Sequence, residues 1–371
     1  MHWLIGLAGL LLIITALGDG FEVMVLPRRA SRRFRPTRLF YRLIWPPWSA
    51  AGRRIRNRKR RESFLAIFGP LSLLMLLAFW ATLIISGYAL AYFALRASVH
   101  DSTAPSSYFD FVYLSGVTFF TVGYGDVTPV TLVGRLLSIV EAGTGFGFIT
   151  IVIGYVPVLS QAFSRRETNI TLLDARAGTP PSAGQILLRL GERGNLDRLK
   201  RFLEEWENWA ADLMESHLSF PMLAYYRSQH DNQSWVAAQM AVLDVCALIL
   251  ACGPEELARQ ARLTFAMARH AAVDMALIFN TSPKESCPER FPPDTAERLR
   301  QALDARGMRF DTAPEALARL AELRHLYEPF LQAIADNFLF EVPPFFFEKK
   351  KKDNWETTAW QRPGDSSQHL G

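Results

Sequence analysis

The chain has 371 residues, half of them hydrophobic, and a net charge of +5. That length holds two or three domains. Its three widely spaced cysteines, Cys246, Cys252 and Cys287, exclude a disulfide framework or a paired-cysteine metal site and fit a reducing compartment. No HExxH, GxSxG or GxxxxGK[ST] pattern occurs, nor a GxGxxG after a strand, so the chain reads as a non-enzyme with no cofactor.

The first apolar segment runs from Trp3 to Leu26, clean to Leu17 and then broken by Gly18-Asp19-Gly20 and Glu22. A signal peptide starts with positive charge, and here the basic cluster follows the apolar run. Residues 1–26 are therefore predicted to be a membrane helix with its N-terminus outside. Residues 27–61 carry 14 Arg or Lys and no Asp or Glu. A basic excess between apolar spans sets topology, which predicts a cytoplasmic loop over 27–62 rather than a nucleic-acid site. The contiguous arginines of 53–61 lack the three-residue spacing of a voltage sensor. Retention by anionic lipid is the added expectation for 27–61. Leu39–Trp48, alternating aromatic and basic, is expected along the bilayer interface.

Residues 63–95 contain no charge over 33 positions, more than the ~20 that cross a bilayer. Gly69-Pro70 is a candidate kink at the inner end. Residues 96–131 are too few and too polar for a second crossing. Within them Tyr108–Thr121 is apolar and aromatic, with Ser106 or Ser107 after Pro105 as candidate N-cap. It predicts a half-length re-entrant helix. Non-helical backbone at membrane depth is tolerated only in protein or along a water-filled path, so the segment that follows should line a pore. The third span, Leu132–Phe163, holds Arg135 and Glu141 and ends at Arg165-Arg166. The arginines place 27–61 and everything beyond Arg165 on the cytoplasmic side and 96–131 outside, consistent with three crossings.

The six residues after the re-entrant helix are Thr121-Val122-Gly123-Tyr124-Gly125-Asp126. Rings of backbone carbonyls can replace an ion's hydration shell. Carbonyls on one strand point the same way when successive residues alternate in backbone hand, and glycine takes positive φ without steric cost. The carbonyls of Thr121, Val122, Gly123 and Tyr124 would form stacked K+ sites, the Thr121 hydroxyl would close the inner end, and Asp126 would brace the mouth. Through TVGYGD the chain resembles the potassium channel family. The likeness extends to Tyr113, Ser115 and Thr118 upstream and to Pro129-Val130-Thr131-Leu132 and Gly134-Arg135 downstream, as in the small bacterial two-helix channels, and covers residues 63–165. It implies that Gly145 stands at the family's inner-helix hinge. Phe120 departs from the family's usual threonine, and Val117 stands where the family often has a polar group, so that Asp126 would pair with Tyr113 or water. One filter strand per chain implies a homotetramer in the plasma (inner) membrane.

Three residues are gating candidates. Glu141 is an acid inside a span, functional by default or else a hydrogen-bonded structural acid behind the pore helix, with Ser115 or Thr118 as donor. Gly145, one turn on, reads as a hinge in preference to a close-packing glycine. Pro157 removes a backbone donor near the cytoplasmic end.

Residues 166–345 show apolar recurrence at three- and four-residue spacing in 195–215, 235–252, 254–280, 294–306 and 313–340, which predicts an all-α cytoplasmic domain. The run 235–252 has the length of a fourth span, but Gln239 and Asp244 make it a buried core helix. Trp206, Trp209, Tyr225, Tyr226 and Trp235 read as core aromatics rather than a ligand cage. The tail, 346–371, with Lys349–Lys352, is expected to be disordered. The fold expectation is mainly α: three transmembrane helices, a re-entrant pore helix and a helical cytoplasmic domain. The leading function is a potassium channel subunit whose helical domain regulates gating through an unidentified ligand or partner. A potassium uptake subunit and a signalling membrane protein with a vestigial pore are the alternatives.

Overall fold

The computed structural model describes residues 2–26, 35–95, 107–191, 196–230, 232–347 and Asp353. The described residues form α-helices and one 3-10 turn, with no strand. They fall into two compact units, the first built from 1–54 and 67–161 and the second from 55–66 and the residues from 162 on.

In the first unit, α1 (His2–Met24) and most of α3 (Arg58–Ala94) are long apolar helices. They meet through glycine: a Cβ on Gly9 would lie 2.5 Å from the Gly87 carbonyl oxygen. Small residues of this kind let membrane helices approach where no hydrophobic force drives them together. Asp19 of α1 is buried, accepting from the Trp80 indole at 2.9 Å and the Thr37 amide at 2.8 Å. It thereby satisfies an N-terminal amide of α2 (Pro36–Arg54). This helix corrects the expected loop over 27–62. Pro46 and Pro47 disfavour a helix by sequence, yet Phe40 packs on Phe79 at 5.6 Å and Trp45 on Phe68 at 4.8 Å. Tertiary packing supplies what propensity lacks. Helix α3 begins at Arg58 and continues through Pro70.

Helix α4 (Tyr108–Phe119) starts at a capping box, the Ser107 amide donating to Asp110 at 2.7 Å and the Asp110 amide to the Ser107 hydroxyl. Of the two candidate caps Ser107 serves; Ser106 lies outside the described residues. Helix α5 (Leu132–Ala177) is 46 residues long and passes through Pro157. It outruns the expected limit of the third span, and its residues from 162 belong to the second unit.

That unit adds α6 (Ala183–Leu190), α7 (Asp197–Ser219), the 3-10 turn Pro221–Tyr225, α8 (Trp235–Cys252), α9 (Glu255–Phe279), α10 (Pro293–Asp304), α11 (Pro314–His325) and α12 (Glu328–Phe338). Helix α8 is long and apolar enough to cross a membrane, but 89% of that stretch is buried in protein. Two of its polar side chains find partners in protein: Gln239 donates to the Ala268 carbonyl at 2.6 Å, and Asp244 accepts from Arg290 and from the Tyr327 hydroxyl at 2.6 Å. It is the core helix expected. The predicted stretch 313–340 is two helices, broken at Leu326-Tyr327, where the Tyr327 ring is fully buried and its amide turns back to Arg324. The expected tail lies mostly outside the described residues; Asp353, within it, is buried and pairs with Arg189 at 2.9 Å.

Candidate ion pathway

Helix α4 ends at Phe119, and the chain turns directly into the predicted filter. The Thr121 amide donates to the Thr118 carbonyl at 3.0 Å and the Val122 amide to Val117 at 2.9 Å. The base of the predicted filter is thus anchored on the carbonyl end of a helix, which carries partial negative charge and favours a cation. Backbone φ is +54° at Thr121, +65° at Gly123 and +79° at Gly125, with Val122 and Tyr124 outside the left-handed region. Alternate residues therefore take opposite backbone hand over the stretch where the sequence demanded it. Thr121 takes this hand with a Cβ, a conformation that costs a non-glycine residue about 1–2 kcal/mol.

Asp126 closes the segment. Its carboxylate accepts from the Tyr113 hydroxyl at 2.7 Å and from the Val127 amide at 3.0 Å. Tyr113 thus provides the partner the sequence assigned to it. The side chains of Val122 and Tyr124 are exposed in the single chain, as are Leu132, Leu136, Ile139, Val140, Phe146 and Ile153 along α5.

Behind the filter, Glu141 is fully buried on α5. It accepts from the Ser115 hydroxyl of α4 and from the Tyr92 hydroxyl of α3 at 2.8 Å, and Tyr92 also meets Ser138 at 2.9 Å. One carboxyl group ties three helices. A second link, Tyr88 to Thr144 at 2.9 Å, lies one turn away. Of the two donors named from sequence Ser115 is used and Thr118 is not. Tyr92 was missed; the signal was a tyrosine pair at i and i+4 in an apolar span, since a buried phenol finds a hydrogen-bond partner.

Gly145 stands where α5 touches the end of α4. A Cβ there would lie 1.9 Å from the Phe119 carbonyl oxygen. Helix α5 is continuous through the position, and the glycine is closely packed there. Pro157 lies inside the same helix without ending it, and Tyr155 and Leu159 on either side are buried.

Near residue 162 the second unit takes over α5. Arg166 is buried and donates to the carbonyls of Leu223 and Tyr226, each at 2.9 Å, and to Glu167. His217, fully buried, lies 3.4 Å from Arg166 and 2.8 Å from the Leu213 carbonyl. Burial first, and then the Arg166 charge, hold its pKa down to about 3. Arg227, which follows Tyr226, pairs with Glu62 at 3.2 Å and covers the Phe340 ring at 4.1 Å. Burial lowers its pKa to about 10.

Residues 65–159 match the family model described as "Ion channel". The Uncharacterized membrane protein YdjJ of Bacillus subtilis is 28% identical over 277 residues, 72% of this chain and 78% of that one. Protein LctB of Geobacillus stearothermophilus is 39% identical over 85 residues, 20% of this chain and 62% of its own. The LctB protein of Bacillus caldotenax is 37% identical over 83 residues, 20% of this chain and 61% of its own. The chain thus spans about three-fifths of each LctB protein. No solved structure matches. The chain carries an ion-channel domain over the region where TVGYGD drew the resemblance, and it is a membrane protein.

Proposed function

We propose that the chain is one subunit of a homotetrameric potassium-selective channel in the plasma membrane, with its N-terminus outside and its second unit in the cytoplasm, where it regulates gating. The observation that carries the reading is the alternating backbone hand of Thr121–Gly125 directly after a pore-helix C-terminus. The carbonyls of Thr121, Val122, Gly123 and Tyr124 coordinate K+ in turn, each ring replacing part of the hydration shell. Asp126, braced by Tyr113, holds the outer end and attracts cations. One chain gives one filter strand, so four chains close the ring. The exposed filter side chains and the apolar face of α5 are what neighbouring subunits and lipid would cover.

Reconstitution into liposomes with potassium and sodium gradients tests this reading. Potassium flux well above sodium flux, with no energy source, is expected; equal permeability overturns it and leaves the vestigial-pore alternative. Topology is checked by a cysteine at Ala51, which should resist an impermeant reagent in intact cells. Regulation is checked by Arg166→Gln, which frees α5 from the carbonyls of Leu223 and Tyr226. A changed open probability with unchanged selectivity is expected.

A further inference from the structure

Helix α2 is held against α3 with a definite exposed edge. Phe40 contacts Phe79, Tyr41 lies 3.3 Å from Ser72, and Trp45 and Trp48 flank Phe68. Eleven residues of α3 separate Phe79 from Phe68, so α2 follows that helix for roughly 16 Å. The position along the span follows from α1. Gly6 sits against Ala94 and Asp19 bonds to Trp80, so Trp80 lies about 21 Å below the outer end of α3 at 1.5 Å per residue. A hydrocarbon core is about 30 Å thick. Helix α2 therefore begins inside the lipid near its edge and runs out through the headgroup layer.

The two sides of its exposed edge differ. At 100° per residue Arg38, Arg42 and Arg53 cluster within about 60° of one another, and Leu39, Leu43 and Ala50 fill an arc of about 40° that begins about 40° further round. All six are exposed, Leu43 at 64%. Three cations nearby have partners: Arg35 with Glu22, and Arg58 and Arg61 with Glu341. Among the described residues Arg38, Arg42 and Arg53 make no ion pair, and no acid lies anywhere between 27 and 61. A basic strip beside an apolar strip, both at headgroup depth, complements a phosphate that carries acyl chains.

We infer that the α2 edge formed by Arg38, Arg42, Leu39 and Leu43 is a binding surface for anionic phospholipid of the bilayer, in the cytoplasmic leaflet under the topology proposed above. The arginines take the headgroup charge and the leucines the first methylenes. Arg38 and Arg42 are one turn apart and address one headgroup together.

The test is lipid retention by the full-length protein, which reads binding independently of ion flux. The protein is purified in micelles doped with equal phosphatidylglycerol and phosphatidylcholine of identical chains, and bound lipid is counted by native mass spectrometry. The wild type should retain phosphatidylglycerol in preference. Arg38→Gln/Arg42→Gln should lower that preference about 30-fold, which corresponds to ~1 kcal/mol per arginine near a charged surface. Arg262→Gln, the same charge change at an exposed arginine of α9, should leave it unchanged. Equal retention of both lipids by the wild type, or full preference in the double variant, overturns the inference. Binding of soluble glycerophosphate as tight as that of the lipid also overturns it, because the site is then a free-anion site. Should the double variant fail to fold, salt titration of the wild type decides: release of phosphatidylglycerol on raising salt supports the surface, and salt-independent retention refutes it.

Discussion

Each unit buries a carboxyl group completely, and each satisfies it by different means. In the helical unit Asp244 meets the Arg290 guanidinium at 2.5 Å, which also reaches Glu328 at 2.7 Å and the Pro343 carbonyl. In the channel unit Glu141 meets only hydroxyl donors, Ser115 and Tyr92. A guanidinium beside Glu141 would set a fixed positive charge behind the filter and oppose any cation there. Hydroxyls hold the helices together without one. The same problem, a buried acid, is solved by a cation in one unit and by hydroxyl groups in the other, as the proposed ion path would require.

The contrast can be broken by removing either kind of donor. Arg290→Ala leaves Asp244 buried without a cation, while Glu328 keeps Arg324 at 3.1 Å; the loss costs about 3–5 kcal/mol. Denaturant unfolding of the helical unit should show a loss of this size, and a loss under 1 kcal/mol would make the ion pair dispensable. Gly145→Ala forces a Cβ onto the Phe119 carbonyl, an overpacking cost of about 1–3 kcal/mol. Thermal stability of the purified protein should fall, and filter conductance with it, because Phe119 adjoins the filter base. A variant with wild-type stability would restore the hinge reading.

Tyr92→Phe removes one hydroxyl and leaves Glu141 short of a donor, at about 1–3 kcal/mol. The loss should vanish in a Tyr92→Phe/Glu141→Gln pair if the two act as a unit, as a double-mutant cycle would report. Glu141→Gln alone keeps the shape and removes the titration. Open probability measured against pH should differ between this variant and the wild type, and superimposable curves would leave Glu141 a purely structural tie. The last effect, graded by pH and absent at neutrality, concerns His217. Its folded pKa, about 3, lies below the unfolded value near 6.5. Its neutral form therefore contributes stability that is complete above pH 6.5 and is lost as pH falls toward 3, at no more than ~1.4 kcal/mol per pH unit. His217→Gln should flatten that slope in thermal melts taken between pH 6.5 and 4.

Much of this was legible in the chain itself. The channel segment showed in charge-free length and in six residues whose glycines fall at two of the three positive-φ positions. Gln239 and Asp244 identified α8 as a core helix against its own hydropathy. Other features were hidden because they depend on distant partners. Helix α2 carries two prolines and forms by packing on Phe68 and Phe79. Helix α6, eight residues long, is too short for periodicity to declare itself. The close approach of Gly145 to the Phe119 carbonyl could not be read locally, because it depends on an opposing backbone 26 residues away. The Tyr92–Glu141 tie joins residues 49 apart, and no local pattern connects them.

Tyr226 and Arg227 adjoin in sequence. The first accepts Arg166 from the extension of α5, and the second pairs with Glu62 from the extension of α3. Successive Cα atoms stand about 3.8 Å apart and cannot stretch. The two extensions are therefore yoked through a single peptide unit. While both pairs hold, one extension cannot slide past the other by more than side-chain slack allows, and pulling on this dipeptide loads both helices at once. The Tyr226–Arg227 peptide thus works as a common bearing, and force entering through it reaches the two extensions together.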